Sequence, residues 1–514
     1  MNVRSICNLF KLKQIIDFHT RKDQTLNLVL TNMHQYYQDP QRLAPFGLSD
    51  HFTVSVRSKS SFVHPNKFVH SRDLRPSTRS AISLFLGKID WSIINTLPTC
   101  ETKLSFFENI VQVGLDTIAP IKTHVIRDNE PPWITPHFKS LVKQRQNALT
   151  NGDMVTFRSL RNIVNRERKK CREKCFSSKV QQLKETKPNN WWKAVKAISG
   201  MEPISSSLNL SHLTSPESST YDLANTINNA FLEPSKSFVP LVKPTTSAVP
   251  SICHDLIVSE IAVFKKLCHL NPSKSSGPDN LPSWLLRENA DILTQPITSI
   301  LNASYSEQQL PTSWKMANVS PIPKTRPVND INKHLRPISL TPILSKIAED
   351  FIVDQHFKPA VLKMIDPQQF GTVPKSSTTH ALISMLHSLY SATDGTGAMA
   401  RMVLFDFRKA FDLIDHQILV EKIQNLDLQP GIIRWITDFL TNRLQRVKLP
   451  NECFSDWATG NAGVPQGTKL GPWLFALMIN DIDVEAPMWK YVDDTSILEI
   501  VSKDSSSNIQ ASVD

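Results

Sequence analysis

Two adjacent carboxylates, Asp493 and Asp494, are the residues of this 514-residue chain best suited to metal chemistry. They lie within Trp489 to Leu498, WKYVDDTSIL, where β-branched and apolar residues flank the acidic pair on both sides. Such flanks predict two short strands, which places the pair at the tip of a hairpin. An acidic pair alone is usually a solvated turn, so a functional site requires a partner elsewhere in the chain.

A third carboxylate, Asp406, lies upstream in a comparable setting. It belongs to Met402 to Phe407, MVLFDF, an apolar run typical of a strand, in which we expect Asp406 to be buried. A carboxylate in such a run is unfavourable unless it binds something. Together with Asp493 and Asp494 it could hold two Mg²⁺ ions, which prefer hard oxygen ligands. Paired ions of this kind promote phosphoryl transfer by in-line displacement.

Three motifs in this part of the chain resemble the sequence boxes of reverse transcriptases. YVDD is similar to the catalytic box, and LFDFRKAFDLIDH is similar to the metal-binding box that precedes it. GVPQGTKLGPWLFALMINDI is similar to the box between them, and the order and spacing agree as well. The sequence resembles LINE-type (non-LTR) retrotransposon polyproteins of the jockey-like kind over nearly the whole chain, which corresponds to only part of such a polyprotein.

The resemblance implies an RNA-directed DNA polymerase that uses two-metal nucleotidyl transfer. It assigns Asp406 and Asp493 as primary ligands of two Mg²⁺ ions, with Asp494 in support and the main-chain carbonyl of Phe407 as a further ligand. Mn²⁺ is an alternative ion. The implied partners are an RNA template, a DNA primer or target and deoxynucleoside triphosphates.

The resemblance also assigns residues to the incoming nucleotide. Lys324 and Arg336 would meet the triphosphate, since arginine suits a bidentate phosphate contact and lysine a point charge. Gln466 and Gly467 belong to a loop that lies beside the nucleotide and template in relatives. Phe411 would lie under the sugar and exclude a 2′-hydroxyl; the alternative is that it is a core residue at the start of a helix.

The implied fold is of the α+β or α/β class, with the fingers and palm of a right-hand polymerase. An antiparallel palm sheet with packed helices is expected, and the fingers run from Ile257 to about Leu389. We assign 251–514 to fingers and palm, 61–250 to a mostly helical basic linker region, and 1–60 to the C-terminal remnant of an endonuclease domain. Because the chain stops at Asp514 without a thumb, we expect a polyprotein truncated at both ends.

The endonuclease assignment depends on a short motif near the N-terminus. Asp50 and His51, within SDH, resemble the last catalytic box of the exonuclease–endonuclease–phosphatase fold. Thr25 to Asn32, TLNLVLTN, is a strand candidate, but Asn27 stands where this family has an aspartate. The upstream boxes of the nuclease are missing, so we expect the remnant to be inactive.

A further departure from the family lies in the turn that begins at Gln369. Relatives have an aromatic residue and an arginine after the glycine of QFG, whereas this chain has Thr372 and Val373. Lys375 is the nearest basic residue. The phosphate contact implied at this turn is therefore not supported by the residues present.

The segment from Lys139 to Lys187 is amphipathic and strongly basic. A charge run of this kind is often a solvated helix face. Here basic residues far exceed acidic ones, and the whole chain has a net charge of +11 and a pI near 9.2, so we favour a nucleic-acid contact.

The composition excludes other classes of protein. The longest apolar run, Trp473 to Ile479, is too short to span a bilayer, and the N-terminus lacks the apolar segment of a signal peptide. We therefore expect no membrane association and an intracellular protein of the nucleus, the cytoplasm or both. Seven scattered cysteines indicate reduced thiols.

Two other functions compete with the polymerase. The chain could be a catalytically inactive, nucleic-acid-binding remnant of a decayed retroelement. A nuclease is the third hypothesis, and the missing catalytic boxes argue against it. The sequence leaves the oligomeric state open.

Overall fold

The computed structural model describes most of the chain. The described residues are 3–45, 49–59, 67–126, 131, 133–183, 191, 195, 210, 219–242, 256–325, 327–395, 397–502, 505–507 and 509–510. Residues 184–187, at the end of the basic segment, and 243–250, at the end of the predicted linker region, lie outside them.

The secondary structure mixes helices with short strands. The helices are α1 (Val3–Leu9), α2 (Pro76–Gly87), α3 (Cys100–Ile118), α4 (Pro136–Thr150), α5 (Met154–Leu183), α6 (Thr220–Leu232), α7 (Glu260–Cys268), α8 (Ser283–Glu288), α9 (Ala290–Glu307), α10 (Ile331–His334), α11 (Ile343–Ile352), α12 (Lys358–Leu362), α13 (Thr378–Thr393), α14 (His416–Gln424), α15 (Pro430–Leu440) and α16 (Gly471–Met478). The strands are β1 (Lys13–Gln14), β2 (Leu30–Thr31), β3 (Gln41–Leu43), β4 (Thr53–Ser55), β5 (Lys67–Arg72), β6 (Ile121–Ile126), β7 (Met316–Pro323), β8 (Leu335–Leu340), β9 (Met399–Asp406), β10 (Leu444–Leu449), β11 (Cys453–Phe454), β12 (Ala458–Thr459), β13 (Met488–Tyr491) and β14 (Asp494–Val501).

The chain divides into two compact units, which do not follow the three segments predicted from the sequence. The first unit comprises 1–70 and 123–206, and the second comprises 71–122 and 207–514. Helices α2 and α3 come from the predicted linker region, yet their apolar faces belong to the main core of the second unit. Phe107 of α3, for example, is completely buried there.

In the first unit, α4 and α5 pack along each other. Phe157 and Val164 of α5 are buried, whereas Arg166, Lys169 and Lys170 are exposed. Helix α5 is therefore amphipathic, as predicted, and most of its described basic residues are exposed to solvent.

The predicted strand from Thr25 to Asn32 is wrong over most of its length. Only Leu30–Thr31 is a strand, paired with Lys13–Gln14. The hydroxyl of Thr20 instead accepts hydrogen bonds from the amides of Leu26 and Asn27. Such side-chain bonds offer the backbone an alternative to a strand ladder.

The second unit has a large helical core and two sheets. One sheet has the strand order β11-β10-β7-β8, with β12 also paired to β10, and β10 runs parallel to β7. The other sheet has the order β13-β14-β9 and is antiparallel throughout. Helix α13 packs on this second sheet, where Ser384 accepts a hydrogen bond from the indole of Trp489 at 3.0 Å. No helix in the described ranges has both the length and the apolarity needed to cross a membrane.

Candidate active site

The acidic pair lies at a hairpin tip, as the sequence predicts. Tyr491 pairs with Asp494, so Val492 and Asp493 form a two-residue turn between β13 and β14. Val492 has a φ of 58°, which is unusual and unfavourable for a β-branched residue. The turn is thus held in a strained conformation by its surroundings.

The third carboxylate lies next to this turn because of the ladder register. Asp406, the last residue of β9, pairs with Asp494, the first residue of β14. Burial raises the pKa of Asp494, and the negative charges of Asp493 and Asp406 raise it further. The three carboxylates are therefore close enough to repel one another.

Two expectations about these carboxylates are wrong. Asp406 is exposed rather than buried, because β9 is an edge strand of its sheet and most of its residues face solvent. The side chains also do not converge as expected: across the described ranges, no three His, Cys, Asp or Glu side chains form a group that could hold a metal ion. Like charges repel, so three ionised carboxylates come together when bound cations or protonation offset that repulsion.

The donor set nevertheless fits Mg²⁺. Carboxylates on adjacent strand ends are hard oxygen ligands, and Mg²⁺ sites in phosphoryl-transfer enzymes use few protein carboxylates together with substrate oxygens. The residues present are thus chemically suited to the ion that the sequence implies.

After Asp406 the chain turns into a segment that packs on α16. The ring of Phe411 stacks on Phe475, with centroids 4.9 Å apart and planes at 24°. The ring of Phe407 meets Phe475 edge-on at 6.3 Å. Phe411 is half-buried, so it has one face in the core and retains an accessible part. Both of its interpretations, sugar contact and core packing, remain open.

The glycine-rich loop from Gly463 to Gly467 lies between that segment and β8. The amides of Gly463 and Val464 donate to the carbonyls of Ile414 and Phe411, each at 2.8 Å, and the Gln466 carbonyl accepts from the Ser339 amide at 2.8 Å. Both ends of this loop require glycine.

At Gly463, φ is +86°, and a Cβ would lie 2.9 Å from the carbonyl oxygens of Phe411 and Asp412. At Gly467, φ is +117°, and a Cβ would lie 2.8 Å from the Ser339 carbonyl. The loop therefore fixes the segment after Asp406 against the strand that carries Arg336.

Glu349 of α11 holds the residues that directly follow this loop. The sequence did not predict this role. It is fully buried, and its carboxylate accepts hydrogen bonds from the amides of Lys469 and Leu470 at 2.6 and 3.3 Å. Burial raises the pKa of Glu349, and these amide donors offset part of that rise. An acid within an apolar helix was the available signal.

Lys324 and Arg336 lie at the end of the β7–β8 pair where the connection between the two strands begins and ends. Arg336 pairs with Ile322, the Lys324 amide donates to the His334 carbonyl at 2.8 Å, and both side chains are exposed. Lys324 is close enough to lower the pKa of Asp412, which follows Phe411. Both cations are thus available to solvent, and Lys324 lies near the Phe411 segment.

Lys409 and Asp412 are further polar residues of this region. Lys409 donates a hydrogen bond to the Asn332 side chain at 3.0 Å, and burial lowers its pKa. Burial raises the pKa of Asp412 to about 6, against the lowering effects of Lys409, Gln466 and Lys324. Asp412 is thus a partly buried acid whose carboxylate is largely desolvated. No sequence pattern indicated a role for Lys409.

The proposed nuclease residues lie in the first unit. Asp50 forms an ion pair with Arg21 at 2.7 Å, and His51 Nε2 lies 3.8 Å from the Asp50 carboxylate. Asp50 is exposed, as expected for a surface pair. The assignment of Asp50 and His51 to a nuclease remnant stays a prediction.

Comparison with known proteins finds a family match within the second unit. Residues 322–511 match the family model described as reverse transcriptase (RNA-dependent DNA polymerase). This part of the chain is therefore similar to reverse transcriptases. The matched range contains Asp406, Phe411, Asp493 and Asp494 together with Lys324, and it also contains the other nucleotide-site residues named above.

Several curated relatives come from transposable elements of Drosophila melanogaster. The RNA-directed DNA polymerase from mobile element jockey is 29% identical over 237 residues, which cover 44% of this chain and 25% of the relative. The probable RNA-directed DNA polymerase from transposon BS is 29% identical over 244 residues, 44% of this chain and 26% of the relative. The corresponding protein from transposon X-element is 30% identical over 189 residues, 36% of this chain and 20% of the relative. The chain thus spans about a quarter of the length of the curated relatives it matches.

Proposed function

We propose that the chain is an RNA-directed DNA polymerase of a non-LTR retrotransposon. The observation that carries this proposal is the pairing of Asp406 with Asp494 across the β9–β14 ladder, with Asp493 in the adjoining turn. The arrangement lies inside the range that matches the reverse transcriptase family model. In this proposal, the β13-β14-β9 sheet is the palm, and the elements from α7 to α13 supply the fingers.

The proposed metal site uses four oxygen-bearing groups. The carboxylates of Asp406, Asp493 and Asp494 and the carbonyl of Phe407 would hold two Mg²⁺ ions, with Mn²⁺ as a substitute. When bound, such ions activate the primer 3′-hydroxyl and stabilise the departing pyrophosphate. The protein's own contribution is to hold the carboxylates in position, and the ladder register does this for Asp406 and Asp494.

The substrate site of the proposal lies along the Gly463–Gly467 loop. Lys324 and Arg336 are exposed cations that would bind the triphosphate of a deoxynucleotide. The backbone of Gly467 and the Gln466 side chain would lie beside the base, and the accessible part of Phe411 would contact the sugar. An RNA template and a DNA primer would extend from this site.

Primer extension by the full chain tests the proposal. A DNA primer annealed to an RNA template is incubated with deoxynucleotides and Mg²⁺, and the purified wild type is compared with Asp406→Asn. Asp483→Asn, at an exposed acid ahead of β13, is the matched control. We expect extension by the wild type and by Asp483→Asn, and its loss in Asp406→Asn. Equal extension by all three, or none by the wild type, contradicts the proposal.

A second candidate is a catalytically inactive protein that binds nucleic acid. The exposed basic residues of α5 favour this candidate independently of the carboxylates. It predicts salt-dependent RNA binding by a chain whose wild type fails to extend any primer. The same experiment therefore separates the two candidates.

A further inference from the structure

We infer that Gln369 is a positioning residue that holds the Val492–Asp493 turn. This inference rests on the proposed function, since it assigns the turn to a polymerase active site. Gln369 lies in the QFG segment whose implied phosphate contact this chain does not support. The structure gives the segment a different role, next to β13.

The QFG segment pairs with the outer edge of β13. Gln369 forms a parallel bridge with Lys490. The Lys490 amide donates to the Gln368 carbonyl at 2.9 Å, and the Phe370 amide donates to the Lys490 carbonyl at 2.8 Å. The segment therefore follows the strand that leads directly into the turn.

The Gln369 side chain contacts the turn itself. It is only 4% exposed, and its Oε1 accepts hydrogen bonds from the amides of Val492 at 3.2 Å and Gly371 at 2.8 Å. Its Nε2 atom is buried and has no partner within the described part of the chain. Gln369 therefore contacts the turn through its side-chain oxygen, which acts as a hydrogen-bond acceptor.

The turn needs such a support because Val492 is strained. A β-branched residue at φ 58° is disfavoured and persists only where its surroundings hold it there. Gly371 closes on the same residue: a Cβ at Gly371 would lie 2.4 Å from the Val492 amide nitrogen. The backbone of the QFG segment and the Gln369 oxygen therefore hold Val492 from one side.

A buried ion pair secures the same segment to β13. Lys490 is 1% exposed, and its ammonium lies 2.7 Å from the Asp366 carboxylate. It also donates to the carbonyls of Asn480 and Ile482 at 3.1 and 2.5 Å. Because Asp366 begins the segment that contains Gln369, the position of the turn is set through Lys490 as well.

Asp493 follows Val492 directly, so a shift at Val492 moves the Asp493 carboxylate relative to Asp406. Loss of one buried hydrogen bond of this kind corresponds to about a tenfold effect. We expect that effect on the chemical step. Among the described residues, Gln369 makes no hydrogen bond to the nucleotide-binding loop Gly463–Gly467, which is held by other residues.

Backbone hydrogen exchange in the full chain tests the contact without any need for activity. Gln369→Met keeps the side-chain length and removes the acceptor, and Gln368→Met is the matched control at an exposed neighbour. We expect the Val492 amide to exchange at least about tenfold faster in Gln369→Met and to be unchanged in Gln368→Met. Gln369→Glu retains acceptor oxygens and should recover part of the protection. Unchanged exchange at Val492 in Gln369→Met, or no recovery with Glu, overturns the inference.

Nucleotide incorporation supplies the functional arm. Gln369→Met should lower kcat about tenfold while the KM for the deoxynucleotide stays within about twofold, and Gln368→Met should match the wild type. A purely structural role would lower the active fraction of enzyme, which active-site titration measures, and would leave kcat per active site unchanged. That result contradicts the inference. An inactive wild type with fast Val492 exchange in Gln369→Met would refute the proposed function and leave the contact established.

Discussion

Asp494 lies directly across the antiparallel ladder from Asp406, although the two residues are far apart in the sequence. Their strands are neighbours in a sheet in which β13 and β14 form a hairpin with a two-residue turn. The register of one strand pair therefore brings together acids from two sequence motifs. A shift of one residue would place them on opposite faces of the sheet.

Asp406→Asn should separate activity from stability. Loss of a residue that only supports a metal ligand typically lowers activity by up to about a hundredfold. Removal of the ligand itself should therefore lower nucleotide incorporation by more than about a hundredfold. Like charges opposite each other in a ladder are destabilising, so the free energy of unfolding should stay equal or rise by up to about 1 kcal/mol. Urea denaturation measures the second quantity. Intact incorporation, or a large loss of stability, would count against a ligand role for Asp406.

Phe411→Val should relax the choice of sugar. The Phe411 ring stacks on Phe475, which fixes its position relative to Asp406. A ring under the sugar would exclude a 2′-hydroxyl by a steric clash, and valine would admit it. The measurement is the ratio of kcat/KM for deoxynucleotides and ribonucleotides in single-nucleotide incorporation. If that ratio does not change, Phe411 has only a packing role.

Asp412→Asn should stabilise the fold in a pH-dependent way. The pKa of Asp412 is raised to about 6 by burial, so the folded state favours the protonated acid. The favourable contribution of protonated Asp412 to the free energy of unfolding is complete below the ordinary pKa of 3.8. It is lost as the pH rises through about 6. Lys324, Lys409, Gln466, His416 and Arg443 are its polar surroundings.

Asparagine has no such pH dependence. The stability difference between Asp412→Asn and wild type should therefore increase by roughly 3 kcal/mol between about pH 4 and pH 8. Chemical denaturation at both pH values measures it. A difference that is the same at both values would show that Asp412 ionises without a penalty in the folded chain.

The basic residues of α5 should contribute to RNA binding through phosphate contacts. Replacement of Arg166, Arg168, Lys169 and Lys170 by glutamine removes four positive charges from this helix. With single-stranded RNA, the slope of log K against log salt should become shallower by about 3, if each charge meets one phosphate. Fluorescence anisotropy at several salt concentrations measures the slope.

A matched control removes four exposed lysines elsewhere in the chain, namely Lys88, Lys236, Lys333 and Lys363. This control should change the slope less than the α5 variant does. Equal changes in the two variants would return α5 to the interpretation of a solvated helix face.

Local sequence patterns were sufficient to predict the hairpin and its acidic tip. β-branched and apolar residues flank Asp493 and Asp494, and the strands extend over those flanks. The exposure of Asp406 was not predictable, because an apolar run does not reveal whether its strand lies at the edge of a sheet. The strand prediction for Thr25 to Asn32 was wrong for a related reason. The Thr20 hydroxyl, which lies outside that segment, accepts hydrogen bonds from the amides of Leu26 and Asn27.

The supports of the site depend on contacts between residues distant in sequence. Gln369 reaches the Val492 amide and Glu349 reaches the amides of Lys469 and Leu470, each over more than a hundred residues. Neither pairing leaves a periodic pattern. Lys490 is a comparable case, since a lysine inside a short strand is ordinarily a surface residue but is buried here against Asp366.

Single-nucleotide incorporation directed by the template is the most direct test of the proposed polymerase. The full chain is given a DNA primer on RNA templates that differ only in the next base, with each deoxynucleotide supplied separately. We expect the complementary deoxynucleotide to be incorporated in every case and Asp494→Asn to abolish incorporation. Incorporation that ignores the template base, that persists in Asp494→Asn, or that is absent in the wild type would contradict it.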